Sequence, residues 1–168
     1  NSGDAMQLGD RVIANAKGGT LTLDAGLGLS IGNNADLDAT ADIDLDAGNA
    51  ISIGSSSTLN AGQNLTADAG NNLSVEAGAQ LAATTGNLNL TAGDSVSLAA
   101  GSVVRADSAA VTVTAGDDIS QTSTSVMQAA TTLTLNGDFG DADAAGAQIN
   151  LYGSLIATDI AINGGSEN

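Results

Sequence analysis

Aspartate carboxylates recur every 22 residues near the start of this chain, at Asp24, Asp46 and Asp68. The same repeat position is then occupied by neutral polar residues, namely Thr91, Thr114 and Asn136. If the repeats stack at strand spacing, about 4.8 Å, the carboxylates form a ladder that could share Ca²⁺, which prefers clustered oxygen ligands. Asp, Thr and Asn also hydrogen-bond turn backbone, and the change to neutral residues favours that structural role.

A denser acidic patch lies in "ADLDATADIDLDAG", residues 35–48. Its carboxylates alternate with apolar residues and should face solvent around one corner of the fold; they are Asp36, Asp38, Asp42, Asp44 and Asp46. Calcium is one interpretation, and a solvated acidic face is the other. The spacing of an ordered calcium loop is absent around Asp138, Asp141 and Asp143. We therefore expect no cofactor, with calcium as the alternative.

The chain repeats itself at intervals of 22 or 23 residues: "GTLTLDAGLGLSIGNNADLDAT" is followed without a gap by "ADIDLDAGNAISIGSSSTLNAG". Three apolar-x-apolar units recur in fixed order. The first-strand units are Leu21/Leu23, Ile43/Leu45, Leu65/Ala67, Leu88/Leu90, Val111/Val113 and Leu133/Leu135. The second-strand units are Leu29/Ile31, Ile51/Ile53, Leu73/Val75, Val96/Leu98 and Ile119/Gln121. The third-strand units are Leu37/Ala39, Leu59/Ala61, Leu81/Ala83, Val104/Ala106 and Met127/Ala129.

Alternation with period two predicts strands with one wet face, and the Gly, Asn, Asp and Ser between the units are turn residues. The sequence therefore predicts an all-β fold: a single-stranded parallel β-helix (β-solenoid), right-handed by analogy with related solenoids. Each coil should hold three short strands in about 22 residues, giving six to seven coils. Residues 1–168 form one β-helix domain, with a loop insertion at about 136–148.

The apolar pattern continues almost to both ends of the chain, without Pro or an amphipathic helix to cap it. Met6/Leu8 and Val12/Ala14 indicate a first partial coil, and Ile149/Leu151, Leu155/Ala157 and Ile160/Ile162 indicate the last. An uncapped solenoid should stack on a copy of itself or on flanking repeats of the same polypeptide. The predicted assembly interface comprises Met6, Leu8, Val12, Ile160 and Ile162.

The end patterns also match each other, with Leu8 and Leu151 lying 143 residues apart. That match is consistent with one unit of a longer tandem array or filament. The sequence begins at Asn1 and not at Met, and we expect it to be a processed or excised piece of a longer product.

Composition excludes several functions. Nineteen acidic residues against three basic ones give a formal charge of −16, which repels nucleic acid and anionic lipid. No apolar run approaches the roughly 18–20 residues that a membrane span needs. The chain has no histidine and one lysine, so the repeated outward serines lack a base. We expect no enzymatic activity; the alternative of a sugar-cleaving enzyme predicts turnover of acidic polysaccharide.

The phrases "GTLTLDAGLGLSIG", "GNLNLTAGDSVSLAAGS" and "AVTVTAGDDIS" resemble the shaft repeats of large secreted bacterial exoproteins of the filamentous-haemagglutinin type, over residues 18–136. The resemblance implies a long right-handed β-helix at the bacterial cell surface, used in adhesion and biofilm. The expected function is a structural block of an extracellular fibre. The alternative is an adhesin binding module that contacts glycan or calcium through the 136–148 loop or the acidic faces.

Overall fold

Short strands stacked one coil above another form three parallel sheets in the computed structural model, which describes residues 3–139 and 146–165. No helix occurs in these two ranges. The strands, in chain order, are β1 (Met6–Leu8), β2 (Ile13–Ala16), β3 (Leu21–Ala25), β4 (Leu29–Ile31), β5 (Asp36–Ala39), β6 (Ile43–Ala47), β7 (Ile51–Ile53), β8 (Thr58–Ala61), β9 (Leu65–Ala69), β10 (Leu73–Val75), β11 (Gln80–Ala83), β12 (Leu88–Ala92), β13 (Val96–Leu98), β14 (Val103–Ala106), β15 (Val111–Ala115), β16 (Ile119–Gln121), β17 (Val126–Ala129), β18 (Thr132–Asn136), β19 (Ile149–Leu151), β20 (Ser154–Ile156) and β21 (Asp159–Asn163).

Each sheet contains seven strands, and every strand pairs with its equivalent from the next coil. Sheet 1 runs from β3 to β21, sheet 2 from β1 to β19, and sheet 3 from β2 to β20, each in steps of three strands. Corner A joins sheet 1 to sheet 2, corner B joins sheet 2 to sheet 3, and corner C joins sheet 3 to sheet 1. The predicted all-β parallel solenoid is therefore confirmed, with about seven coils.

The inward side chains stack into apolar columns that fill the bore of the solenoid. Leu37, Leu59 and Leu81 lie directly above one another in sheet 3 and are fully buried. The predicted alanine column is also buried, at Ala25, Ala47, Ala69, Ala92 and Ala115. Burying each leucine contributes about 1.5–3 kcal/mol. The bore thus gains its stability from many small aliphatic side chains and not from aromatic ones.

Side-chain ladders connect the same turn in successive coils. At corner C the backbone N–H of Asn64 donates to Oδ1 of Asp42 (2.9 Å), and that of Asn87 donates to Oδ1 of Asn64 (2.9 Å). The N–H of Ala110 then donates to Oδ1 of Asn87 (3.1 Å). Turn N–H groups that no strand partner could reach are therefore satisfied by the coil before them.

Corner B is a four-residue turn in the first six coils, and in each of them one residue has a left-handed backbone conformation. The third residue of the turn has a φ between 54° and 72°, at Arg11, Asn34, Ser56, Gly78, Gly101 and Thr124. The residue type varies although the conformation does not. The backbone of this corner is thus imposed by its stacked neighbours and not by one residue type.

The first coil differs from the prediction by two residues in sheet 3. Ala14 and Ala16, not Val12 and Ala14, align with Leu37 and Ala39 of the next coil. Val12 lies in corner B, where its carbonyl accepts the N–H of Asp36 (2.8 Å). The prediction was wrong because it leaves three residues between Leu8 and the next inward residue, whereas the structure has five, residues 9–13.

The last coil has a shorter corner B than the others. Only Tyr152 and Gly153 separate β19 from β20. Leu155 therefore belongs to the same column as Ala14, and not to the position of Val12. Gln121, which the sequence places in the second-strand column, is buried here. Its Nε2 donates to the carbonyls of Ser125 and Ser154 (both 3.3 Å), while its Oε1 is buried without a partner among the described residues.

The predicted insertion separates β18 from β19. Its described start is attached to the shaft, because the N–H of Phe139 donates to the carbonyl of Ala115 (2.9 Å). Its described end is attached as well, because the N–H of Gln148 donates to Oδ1 of Asp118 (2.6 Å). Residues 140–145 between them lie outside the described ranges.

We predict that Gly70→Ala destabilises the fold by about 1–3 kcal/mol. A methyl group at Gly70 would overlap the carbonyl oxygen of Gly48 in the coil before it, and two stacked backbones cannot separate without breaking their ladder. Urea unfolding measures the change in free energy of unfolding. Gly18→Ala is the matched control, since nothing lies within 4 Å of a methyl group there. Equal stability of the two variants would contradict the close coil-to-coil approach.

Candidate functional site

The predicted carboxylate ladder is present on the outer face of sheet 1. Asp24 is paired with Asp46, and Asp46 with Asp68, at adjacent register positions of β3, β6 and β9. Asp24 is half-buried, whereas Asp46 and Asp68 are exposed. Parallel pairing therefore brings like charges together at strand spacing, about 4.8 Å.

Asp68, at the upper end of this ladder, lies in an environment that disfavours its charged form. Partial desolvation raises the pKa of Asp68 above its ordinary value of 3.8, and the negative charges of Asp46 and Asp44 raise that pKa further. Both neighbours lie on β6, directly before β9 in the sheet. At this position a protonated Asp68, or an ionised Asp68 with a cation beside it, would be more stable than the ionised carboxylate alone.

Above Asp68 the same column continues with neutral residues, as the sequence predicted. Asn136 and Asn163 extend it into the last coil, where Nδ2 of Asn163 donates to Oδ1 of Asn136 (2.8 Å). Nδ2 of Asn136 in turn donates to Oγ1 of Thr114 (3.4 Å). These amide and hydroxyl groups can pair with one another, whereas ionised carboxylates only accept. The two halves of the column therefore have different chemistry.

The acidic patch surrounds corner C, as predicted. Asp36 and Asp38 lie on the outer face of β5, and Asp44 and Asp46 on that of β6, with Asp42 in the turn between them. Two of these carboxylates accept hydrogen bonds from the next coil: Nδ2 of Asn60 donates to Asp38 and Nδ2 of Asn64 to Asp42 (both 3.0 Å). Part of the patch therefore acts in coil-to-coil hydrogen bonding.

The geometry does not assemble a metal cluster in the described ranges: no three His, Cys, Asp or Glu side chains there lie close enough to hold an ion. Of the three loop carboxylates considered in the sequence, Asp138 is half-buried, and Asp141 and Asp143 lie outside the described residues. Calcium binding along the Asp columns stays a prediction.

A shallow hollow of about 400 Å³ lies on the outer face of sheet 2, over β1, β4 and β7. Its lining includes Ala5, Gln7, Gly28, Ser30 and Ser52. None of the side chains that line it is acidic or basic, so the hollow offers no general acid, general base or charged anchor.

The two end coils carry the predicted assembly residues. The first end coil (β1–β3) exposes the inward edges of Met6 and Leu8, which are half-buried against the core. The last end coil (β19–β21) exposes Ile160 and Ile162, at 47% and 49%. Leu21, Leu23, Ile149, Leu151 and Leu155 belong to the same two surfaces. Their columns follow from the repeat pattern, but the predicted interface does not include these five residues.

The chain matches no protein-family model, no curated protein sequence and no solved structure. Among the residues that the structure describes, no helix is long and apolar enough to cross a membrane.

We predict that Asp68→Asn stabilises the protein at pH 7. Because the pKa of Asp68 is raised in the folded state, that state binds more protons than the unfolded chain between pH 3.8 and the raised pKa, so wild-type stability falls as pH rises through this window. The asparagine removes the penalty. Thermal unfolding at pH 7 and at pH 3 should show a higher Tm for the variant at pH 7 and little difference at pH 3.

Glu76→Gln is the matched control, because it removes one charge where Gly54 and Ala99 are the stacked neighbours. A gain of the same size in both variants would mean that net charge, and not the Asp ladder, sets the effect.

Proposed function

We propose that this chain is a structural segment of a secreted bacterial surface fibre, extended along its axis by coil stacked on coil. The observation that carries the proposal is the state of the two end coils. Each presents three edge strands to the outside, β1–β3 on one side and β19–β21 on the other, and within the described residues no other element covers them. Such edges are templates for a further coil.

The inward columns support the same proposal, since they do not end in polar residues. Ile160 and Ile162 are about half exposed, and no described strand pairs with β21 on the side away from β18. A next coil would bury them in the way that the coil above Leu133 and Leu135 buries those two residues completely. Covering these side chains adds hydrophobic stabilisation to backbone pairing.

The outer surface suits a fibre that extends without bundling. The net charge of −16 lies outside an uncharged bore, so parallel shafts repel one another sideways. Growth along the axis is opposed far less, because it is driven by edge pairing and apolar burial. The resemblance to filamentous-haemagglutinin-type shaft repeats supports an extracellular, cell-surface location and a part in adhesion and biofilm.

Electron microscopy of the purified 168-residue chain at rising concentration, with calcium and with chelator, tests the proposal. We expect long uniform filaments in both conditions. Filaments in calcium alone would add a metal role for Asp24, Asp46 and Asp68. Isolated rods about 34 Å long, the height of seven coils at strand spacing, would contradict end-to-end growth by this chain.

A binding module is the second candidate, favoured by the start of the insertion. Phe139, the one phenylalanine of the chain, is 67% exposed beside Asp138. An exposed aromatic ring next to carboxylates offers a stacking face and hydrogen-bond acceptors, which are the groups that a glycan would use.

Under this alternative, the combined substitution Asp138→Asn, Asp141→Asn and Asp143→Asn should abolish binding to immobilised glycans and leave filaments intact. The matched control replaces Asp36, Asp38 and Asp44 by asparagine and removes the same charge from the shaft. Unchanged glycan binding in the loop variant would rule out these carboxylates as the contact.

A further inference from the structure

The register of the seven coils defines what a second copy would meet at either end. Every inward column runs through all seven strands of its sheet, so each column has one member in each end coil. Extending sheet 2 places Met6 and Leu8 on Ile149 and Leu151. Extending sheet 1 places Leu21 and Leu23 on Ile160 and Ile162 of the copy below.

The first end coil contains two cations as well as the carboxylates Asp10 and Asp24, whereas the described part of the last end coil contains a carboxylate, Asp159, and no cation. Two of the three basic residues of the chain, Arg11 and Lys17, lie in the first end coil. Neither forms an ion pair with a carboxylate in the described ranges. The last end coil carries Asp159, which is exposed at the start of β21. An otherwise acidic shaft thus keeps its unpaired cations at one end.

Lys17 and Asp159 belong to the same corner. Lys17 directly follows β2 in corner C, where the preceding carbonyl, of Ala16, accepts the N–H of Thr40 from the next coil (3.2 Å). Asp159 closes corner C of the last coil, and its N–H donates to the carbonyl of Thr131 (3.1 Å). In the register of the shaft, Lys17 belongs to the column that ends at Thr158, and Asp159 is the next residue along the chain. Head-to-tail stacking therefore places Lys17 over Thr158, one position from Asp159, where the long lysine side chain can reach that carboxylate.

Arg11 and Tyr152 share corner B. The N–H of Arg11 donates to the carbonyl of Asn33 (2.9 Å), and the N–H of Tyr152 donates to that of Gln121 (2.9 Å). Tyr152 is the only tyrosine and is 75% exposed. A guanidinium group beside an aromatic ring gives a cation–π contact. Tyr152 is the first residue of its corner and shares its column with Gly9, so head-to-tail stacking places the ring two positions along corner B from Arg11, within reach of the guanidinium group.

We propose that the first end coil docks on the last end coil of a second copy of this chain, with Lys17 beside Asp159 and Arg11 beside Tyr152. This inference rests on the proposed function and adds the partner and the polarity of the junction. Stacking of like ends would bring cations to cations or carboxylate to carboxylate, which electrostatic complementarity disfavours. Only head-to-tail addition satisfies both corners, so the fibre is polar.

A charge swap tests the junction, with sedimentation velocity giving the concentration at half-assembly. Lys17→Glu should raise that concentration about tenfold or more, since it sets two carboxylates against each other. Adding Asp159→Lys to the same chain should restore assembly towards the wild-type value. Arg105→Glu is the matched control: it makes the same change in net charge in β14, mid-shaft, beside Asp107, and should assemble like the wild type. Circular dichroism checks that all variants fold.

The outcomes separate the two proposals. A wild-type chain that stays monomeric at every concentration contradicts end-to-end growth itself and leaves the end coils to flanking coils or another protein. If the wild type forms filaments, three results would overturn the proposed junction without contradicting the fibre. They are unchanged assembly of Lys17→Glu, equal loss of assembly in Lys17→Glu and Arg105→Glu, and no recovery of assembly when Asp159→Lys is added.

Discussion

In-register parallel pairing between each coil and the next is the interaction on which this structure depends. Equivalent residues face one another across every pair of coils. The side chain at each position must therefore be compatible with a similar side chain about 4.8 Å away in the next coil. Aliphatic residues meet this condition in the bore, where Leu59 and Leu81 stack fully buried. Asparagine meets it at corner C, where each Oδ1 of Asn64 and Asn87 accepts an N–H from the next coil.

Residues that cannot tolerate repetition show the cost of the same constraint. Ionised carboxylates accept hydrogen bonds but do not donate them, so Asp46 and Asp68 cannot pair with each other. Partial desolvation raises the pKa of Asp68, and the negative charges of Asp46 and Asp44 raise that pKa further. Above Asp68 the residues of the column carry hydroxyl and amide groups, which can both donate and accept hydrogen bonds. Each end coil pairs with a neighbouring coil on one side only among the described residues. Its strands therefore have an unpaired edge, and in the last coil Ile160 and Ile162 are half exposed. The functional proposal follows from that unmet pairing.

The sequence predicted the strands and the bore because both depend on a period-two pattern that residue type reveals directly. It did not predict the length of corner B. The left-handed residue in that turn is Arg11 in one coil, Gly78 in another and Thr124 in a third, so no residue type marks it, and Val12 was assigned to the wrong column. In the last coil the predicted unit Leu155/Ala157 is in the right column, because Leu155 pairs with Met127. The proposed approach of Lys17 to Asp159 of a second copy depends on the register of the coils, which the chain order alone does not reveal, since 142 residues separate the two.

The central claim is that the same pairing continues from one copy to the next, and the axial rise of the filament measures it most directly. A helical reconstruction by cryo-electron microscopy should give a rise of about 34 Å per chain, the height of seven coils at strand spacing, with no break in the 4.8 Å ladder at the junction. A longer rise with a gap between copies, or filaments built by side-by-side contact of shafts, would contradict it.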